Sequence, residues 1–153
     1  MASTHSPGSG VGTRTNIQKA ALAVGVVFLL VGILGFIPGI TSGMDELAFA
    51  GSESNALLLG IFQVSILHNI VHLLFGIAGI VMAKTATGAY NFLLWGGVIY
   101  AVLFIYGLII PQDSAANFVP VNAADNILHL VLAIAMIALA LALRDKHRTA
   151  GAR

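Results

Sequence analysis

The chain has 153 residues, 58% of them hydrophobic and only 8% charged, with a mean hydropathy of +0.96. Water-exposed domains carry about 25% charged residues, so this composition excludes a soluble globular surface, and a net charge of +1 gives no basis for nucleic-acid binding. No cysteine is present, which excludes disulfides, thiolate metal sites and cysteine nucleophiles.

Residues 1–15 are a Ser/Thr/Gly/Pro-rich tail without hydrophobic periodicity, read as disordered. They do not open a cleavable signal, because the apolar run that follows is too long and lacks a small-residue cleavage site. Four charge-free runs, 20–44, 54–83, 85–112 and 126–143, are compared with the ~20 residues needed to cross a bilayer core. Local signals trim them. Thr15-Asn16-Ile17-Gln18 is a capping box, and Pro38-Gly39 marks a fraying end, so helix 1 is expected over about 16–41. Ser65 reads as an N-cap, which places helix 2 at 65–83 and leaves 55–64 as an apolar segment at the outer interface or tucked against the bundle. Helix 3 is expected over 90–110, closed by Pro111, and helix 4 over 122–143, capped by Asn122. The fold class is all-α, a four-helix transmembrane bundle.

All seven basic residues fall on one side: Arg14 and Lys19, Lys84, then Arg144 just after helix 4 and Lys146, Arg148 and Arg153 in a basic tail over 145–153. The other two connections carry Asp45, Glu46, Glu53 and Asp113 and no basic residue. The positive-inside rule makes both termini cytoplasmic, in the plasma membrane of a prokaryote.

An offset of 57 residues lays helix 2 on helix 4. Asn69 to Ala83 then matches Asn126 to Ala140 at 8 of 15 positions. Apolar identities come cheaply in membrane helices, so the weight rests on Asn69/Asn126 and His72/His129. Helices 1 and 3 echo each other weakly, Gly32 against Gly107 with a proline after each. The reading is a duplicated helical hairpin, its copies parallel about an axis along the membrane normal.

Ser65, His68, Asn69, His72 and Gly76 share one helical face, and Asn122, Asp125, Asn126, His129 and Ala133 form the matching face of helix 4. Isolated polar groups are costly in hydrocarbon, so both stripes are expected to point inward and face each other. His72 and His129 would lie ~10 Å below the helix starts, in the outer leaflet. Tyr106 falls at a similar depth and could supply a hydroxyl.

Several chemistries fit these residues. One is a structural hydrogen-bond network holding the helices together. Another is a zinc-like metal site from His68, His72, Asp125 and His129. A third is a b-type haem with His72 and His129 as axial ligands, Gly76, Gly79 and Ala133 making room. A small transporter or proton-coupled component is a fourth, against which no ionisable residue continues below the two histidines. A triad of Ser65, His129 and Asp125 can be written, but Ser65 reads better as an N-cap and no nucleophile elbow is present. Gly32, Gly35 and Gly39, and Gly96, Gly97 and Gly107, are small-residue faces for packing, homo-oligomerisation or a larger membrane complex. Trp95, Tyr90 and Tyr100 read as interfacial or packing aromatics.

Residues 67–76 (LHNIVHLLFG) and 122–130 (NAADNILHL) resemble motifs of the actinobacterial membrane family known as domain of unknown function 4383. The likeness extends to Gly35-Phe36-Ile37-Pro38-Gly39 and Leu94-Trp95-Gly96-Gly97, covering nearly everything between residues 17 and 143. The resemblance implies a small four-span bacterial protein without an assigned activity. It draws attention to His68, Asn69, His72, Asp125, Asn126 and His129 without choosing among network, metal and haem. The sequence therefore leads to a non-enzymatic structural or accessory component in the bilayer, with no cofactor. A metal- or haem-binding protein is the alternative, and a transporter the third reading.

Overall fold

The computed structural model describes residues 13–144; of the expected tails, residues 1–12 of 1–15 and all of 145–153 lie outside them. Four helices run antiparallel in sequence order: α1 (Asn16–Leu34), α2 (Ile66–Met82), α3 (Ala86–Ile109) and α4 (Ala123–Leu143). Three are long and apolar enough to cross a membrane, and α2 is an apolar helix of 17 residues. At 1.5 Å per residue α2 still reaches ~26 Å, close to a hydrocarbon core. Their outer faces are apolar, with Leu30, Leu74, Val102 and Ile134 all exposed.

Helix 1 stops at Leu34, a full turn or more short of the expected residue 41. The Thr41 hydroxyl donates to the Leu34 carbonyl at 2.9 Å, supplying a partner for a terminal carbonyl that the helix cannot satisfy. Pro38 also keeps the residue before it out of helical geometry. Helix 3 begins at Ala86, earlier than expected, because the Thr85 hydroxyl accepts from Gly88 N–H as an N-cap. Ser65 and Asn122 cap α2 and α4 as expected, accepting from His68 N–H and Asp125 N–H.

The segment 55–64 is neither helix nor loose interface chain. It forms β2 (Leu57–Leu58) and β3 (Phe62–Gln63), which pair antiparallel with each other and, through β2, with β1 (Thr41–Ser42). The hairpin turns through Leu59 and Gly60 at φ 54° and 70°. A leucine in the left-handed region carries strain and is not a turn residue that sequence rules flag. Ala56, Leu58 and Val64 are buried in a small second core against Val31, Leu34 and Leu47, seating this sheet on the C-terminal end of α1.

Each helix packs chiefly on its hairpin partner, α1 on α2 and α3 on α4. Glycines set the spacing. A Cβ on Gly25 would lie 2.8 Å from Ile80 N and 3.0 Å from Gly76 O, and one on Gly97 would lie 3.0 Å from Ile137 N and 3.1 Å from Ala133 O. At the opposite end, Gln18 Nε2 donates to the carbonyls of Ala83 (3.1 Å) and Lys84 (2.9 Å) and ties the start of α1 to the end of α2. Between the hairpins lies a core that includes Phe28, Phe92, Leu93, Tyr100 and Met136.

Candidate functional site

The polar residues of α2 and α4 are buried: Ser65, His68, Asn69, Asp125, Asn126 and His129 fully, and His72 partly. Their side chains do not all face one another. The imidazoles line an unbroken series of rings, whereas the asparagines turn toward their hairpin partners.

His68 stacks on His72 with centroids 4.6 Å apart, His72 on Phe28 at 5.6 Å, and Phe28 on Tyr100 at 5.4 Å; Tyr100 meets His129 at 5.3 Å. The His72 Nδ1 is 3.0 Å from the His68 carbonyl. A carbonyl only accepts, so Nδ1 carries the proton and Nε2 is left as an acceptor. Below the series, Phe75 and Phe92 join Phe28 and Tyr100 in a packed aromatic cluster. No polar path continues through it. Phe28 and Tyr100 were not foreseen as neighbours of the histidines. A spacing signal existed only in retrospect, since both lie on the inward faces of helices read for their glycines.

The Asn69 side chain sits against Gly35, the C-cap of α1, and the Asn126 side chain against Gly107 of α3, each so close that a Cβ on the glycine would collide with it. Both Asn Oδ1 atoms, with Asn69 Nδ2, His68 Nδ1 and His129 Nδ1, are buried without a conventional hydrogen-bond partner among the described residues. In each case the oxygen is the amide atom nearest to where the glycine's Cβ would stand, an approach that suits the Cα–H···O contacts that recur between closely packed helices.

Asp125 has a different task. Its Oδ2 accepts from Asn122 N–H and from Gln63 N–H, both at 2.9 Å. The first closes the capping box of α4; the second fastens β3 to it. Around this point the α1–α2 and α3–α4 connections are sewn together. Asn122 Nδ2 donates to Ile61 O (2.7 Å), Gly51 N to Phe118 O (2.7 Å), and Gln63 Nε2 to Ser54 O (2.8 Å). Buried Asn117 braces the second connection through Gln112 O, Val121 O and Val121 N. Side-chain-to-backbone bonds thus build a rigid cap without a disulfide. Gln63, Ser54 and Asn117 escaped the sequence reading because isolated polar residues in a connection carry no spacing signal.

One expectation is corrected, and the arrangement bears on three alternatives. Tyr106 is outside the cluster: its side chain is exposed and its hydroxyl donates to the Ala116 carbonyl. Among the described residues no group of three His, Asp or Glu is placed to hold a metal ion; Asp125 is turned to backbone N–H groups instead of joining His68, His72 and His129. The room foreseen for a haem is filled. Gly76 and Gly79 lie against the backbone of α1, Ala133 faces Gly97, and Phe28 and Tyr100 occupy the series between His72 and His129. The Ser65, His129 and Asp125 triad is not assembled either, Ser65 Oγ being the α2 cap.

By the length and apolar composition of its helices, this is a small helical membrane protein with a preformed cap at one end. The chain belongs to the family described as domain of unknown function (DUF4383), whose sequence model matches residues 18–142. No curated protein and no solved structure matches it.

Proposed function

We propose that the protein is a non-enzymatic structural or accessory component of a prokaryotic plasma membrane, a duplicated hairpin whose buried His/Asn/Asp layer locks a cap onto the outer end. The carrying observation is the Asp125 carboxylate, which bridges the first turn of α4 and the β3 strand of the cap. A carboxylate oxygen that accepts from two backbone N–H groups is a fastening, whereas a catalytic or metal-ligating one presents that oxygen to a site.

The duplication is supported by contacts that recur between the hairpins. With α2 and α4 related by 57 residues, α1 and α3 are related by 72: Gly25 with Gly97, Phe28 with Tyr100, Gly35 with Gly107. Gly25 meets Ile80 N and Gly76 O as Gly97 meets Ile137 N and Ala133 O; Gly35 meets Asn69 as Gly107 meets Asn126. Phe28 meets His72 as Tyr100 meets His129. The counterpart of Gly107 is thus Gly35, not Gly32. The offsets differ by 15 residues, the extra length that the first connection devotes to its sheet.

Two measurements test the proposal. His72→Ala and His129→Ala should each lower the melting temperature in mild detergent by opening a cavity in the ring series, costing about 1–3 kcal/mol. The wild-type protein should show no Soret band and no stoichiometric zinc, iron or copper. A Soret band or one bound metal per chain, lost in either variant, sinks the structural reading. For topology, Ala115→Cys in the cap should react with an impermeant maleimide from outside intact cells, and Thr87→Cys only after permeabilisation. The reverse pattern would overturn the orientation.

A further inference from the structure

At the outer end of α3 and α4 a groove of about 390 Å³ opens between the helices, lined by Phe104, Leu108, Ile110, Ala123, Ile127 and the amide of Asn126. Its volume lies within the ~300–1,000 Å³ of small-molecule sites. We propose that this groove binds one ester-linked membrane lipid, with an ester carbonyl accepting from Asn126 Nδ2 and the acyl chain lying along Leu108 and Ile127.

Three observations carry this. First, Asn126 is only 7% exposed, and no hydrogen bond among the described residues uses its side chain. Its Oδ1 is pressed on Gly107; an oxygen suits a Cα–H neighbour and an amide NH₂ does not, so the NH₂ edge is what faces the groove. A donor in an apolar groove demands an acceptor. Gln112 adds a second amide at the rim.

Second, the groove continues the outward apolar surface. Leu108, Ile109 and Ile127 flank it and are among the most exposed side chains in the molecule. A molecule entering sideways from the bilayer keeps its chain in hydrocarbon throughout. Third, the groove lies beside the first turn of α4 and the last turn of α3, the level where hydrocarbon gives way to headgroup and where glycerol ester carbonyls reside. The first hairpin offers a contrast. There the longer connection covers the equivalent place, and Asn69 is 1% exposed with both amide atoms sealed.

The test is native mass spectrometry of the full chain, delipidated in mild detergent and titrated with diacyl and diether phosphatidylglycerol of identical chain length. The first diacyl lipid should bind about five-fold tighter than the diether, the factor that one hydrogen bond of ordinary net strength confers. Asn126→Val should erase the preference. Ala123→Trp, at an exposed groove wall that leaves Asn126 untouched, should weaken both lipids several-fold, and serves if Asn126→Val does not fold. Equal binding of the two lipids by the wild type, or unchanged binding by Ala123→Trp, overturns the proposal. So does displacement of the lipid by an equimolar short-chain benzoquinone, which would make the occupant a quinone.

Discussion

Gly76→Ala should strain the packing of the first hairpin and lower the protein's stability measurably. The added Cβ would stand 2.5 Å from Leu29 N, 2.8 Å from Leu29 Cα and 2.8 Å from Gly25 O. All three are backbone atoms of α1, which cannot step aside without separating the helices. Overpacking of this kind costs about 1–3 kcal/mol or more, well above the ~1 kcal/mol that alanine returns in helix propensity. Gly96→Ala is the control. Its Cβ would first meet Met136 Cε at 2.5 Å and the Phe75 ring tip at 2.9 Å. A methionine end swings away at little cost, so this variant should fold with a melting temperature near wild type. Thermal unfolding followed by circular dichroism compares them directly. Equal melting temperatures would mean that α1 and α2 do not approach as closely as described.

The second large effect is expected at Asp125. Asp125→Ala removes the acceptor for Asn122 N–H and Gln63 N–H together, undoing the α4 capping box and the bond between β3 and the bundle. One lost cap costs about 1 kcal/mol and a partly buried orphan N–H a further 1–3 kcal/mol, so a total near 3 kcal/mol is expected. Asp125→Asn keeps one oxygen that can receive both N–H groups, as Oδ2 does, but loses the charge that strengthens them, and should lose about 1 kcal/mol. The damage should be local before it is global. Amide exchange at residues 57–63 should accelerate in Asp125→Ala while that of α1 and α3 stays slow. Uniform acceleration across all four helices would show that Asp125 supports the bundle itself rather than the cap.

The ring series from His68 to His129 gives these results a common physical setting. Buried imidazoles stacked on aromatic rings are held by shape as much as by hydrogen bonding. The asparagines meet glycines instead of one another. The polar side chains lie between packed helices, and Phe75 and Phe92 join Phe28 and Tyr100 in a packed aromatic cluster beneath them. A path for ions would need the opposite, polar groups continuing inward.

Much of this architecture was legible in the order of residues. Four apolar runs, the caps at Ser65 and Asn122, and the inward faces of α2 and α4 follow from hydropathy and helical periodicity, which are local properties of the chain. The match of Asn69 and His72 to Asn126 and His129 likewise needed only one sequence. What escaped it depends on atoms far apart in the chain. The strands within 41–63 are two residues long and turn through a leucine, so neither alternation nor a turn motif announces them. Whether Asp125 meets a histidine or a backbone N–H 62 residues away is a question of distance, and spacing along one helix is silent on it. The same holds for the small residues. Gly76 and Ala133 could equally have cleared space for a macrocycle or drawn two helices together; only the position of α1 and α3 opposite them decided for contact, because a glycine's effect is set by what stands where its side chain would be.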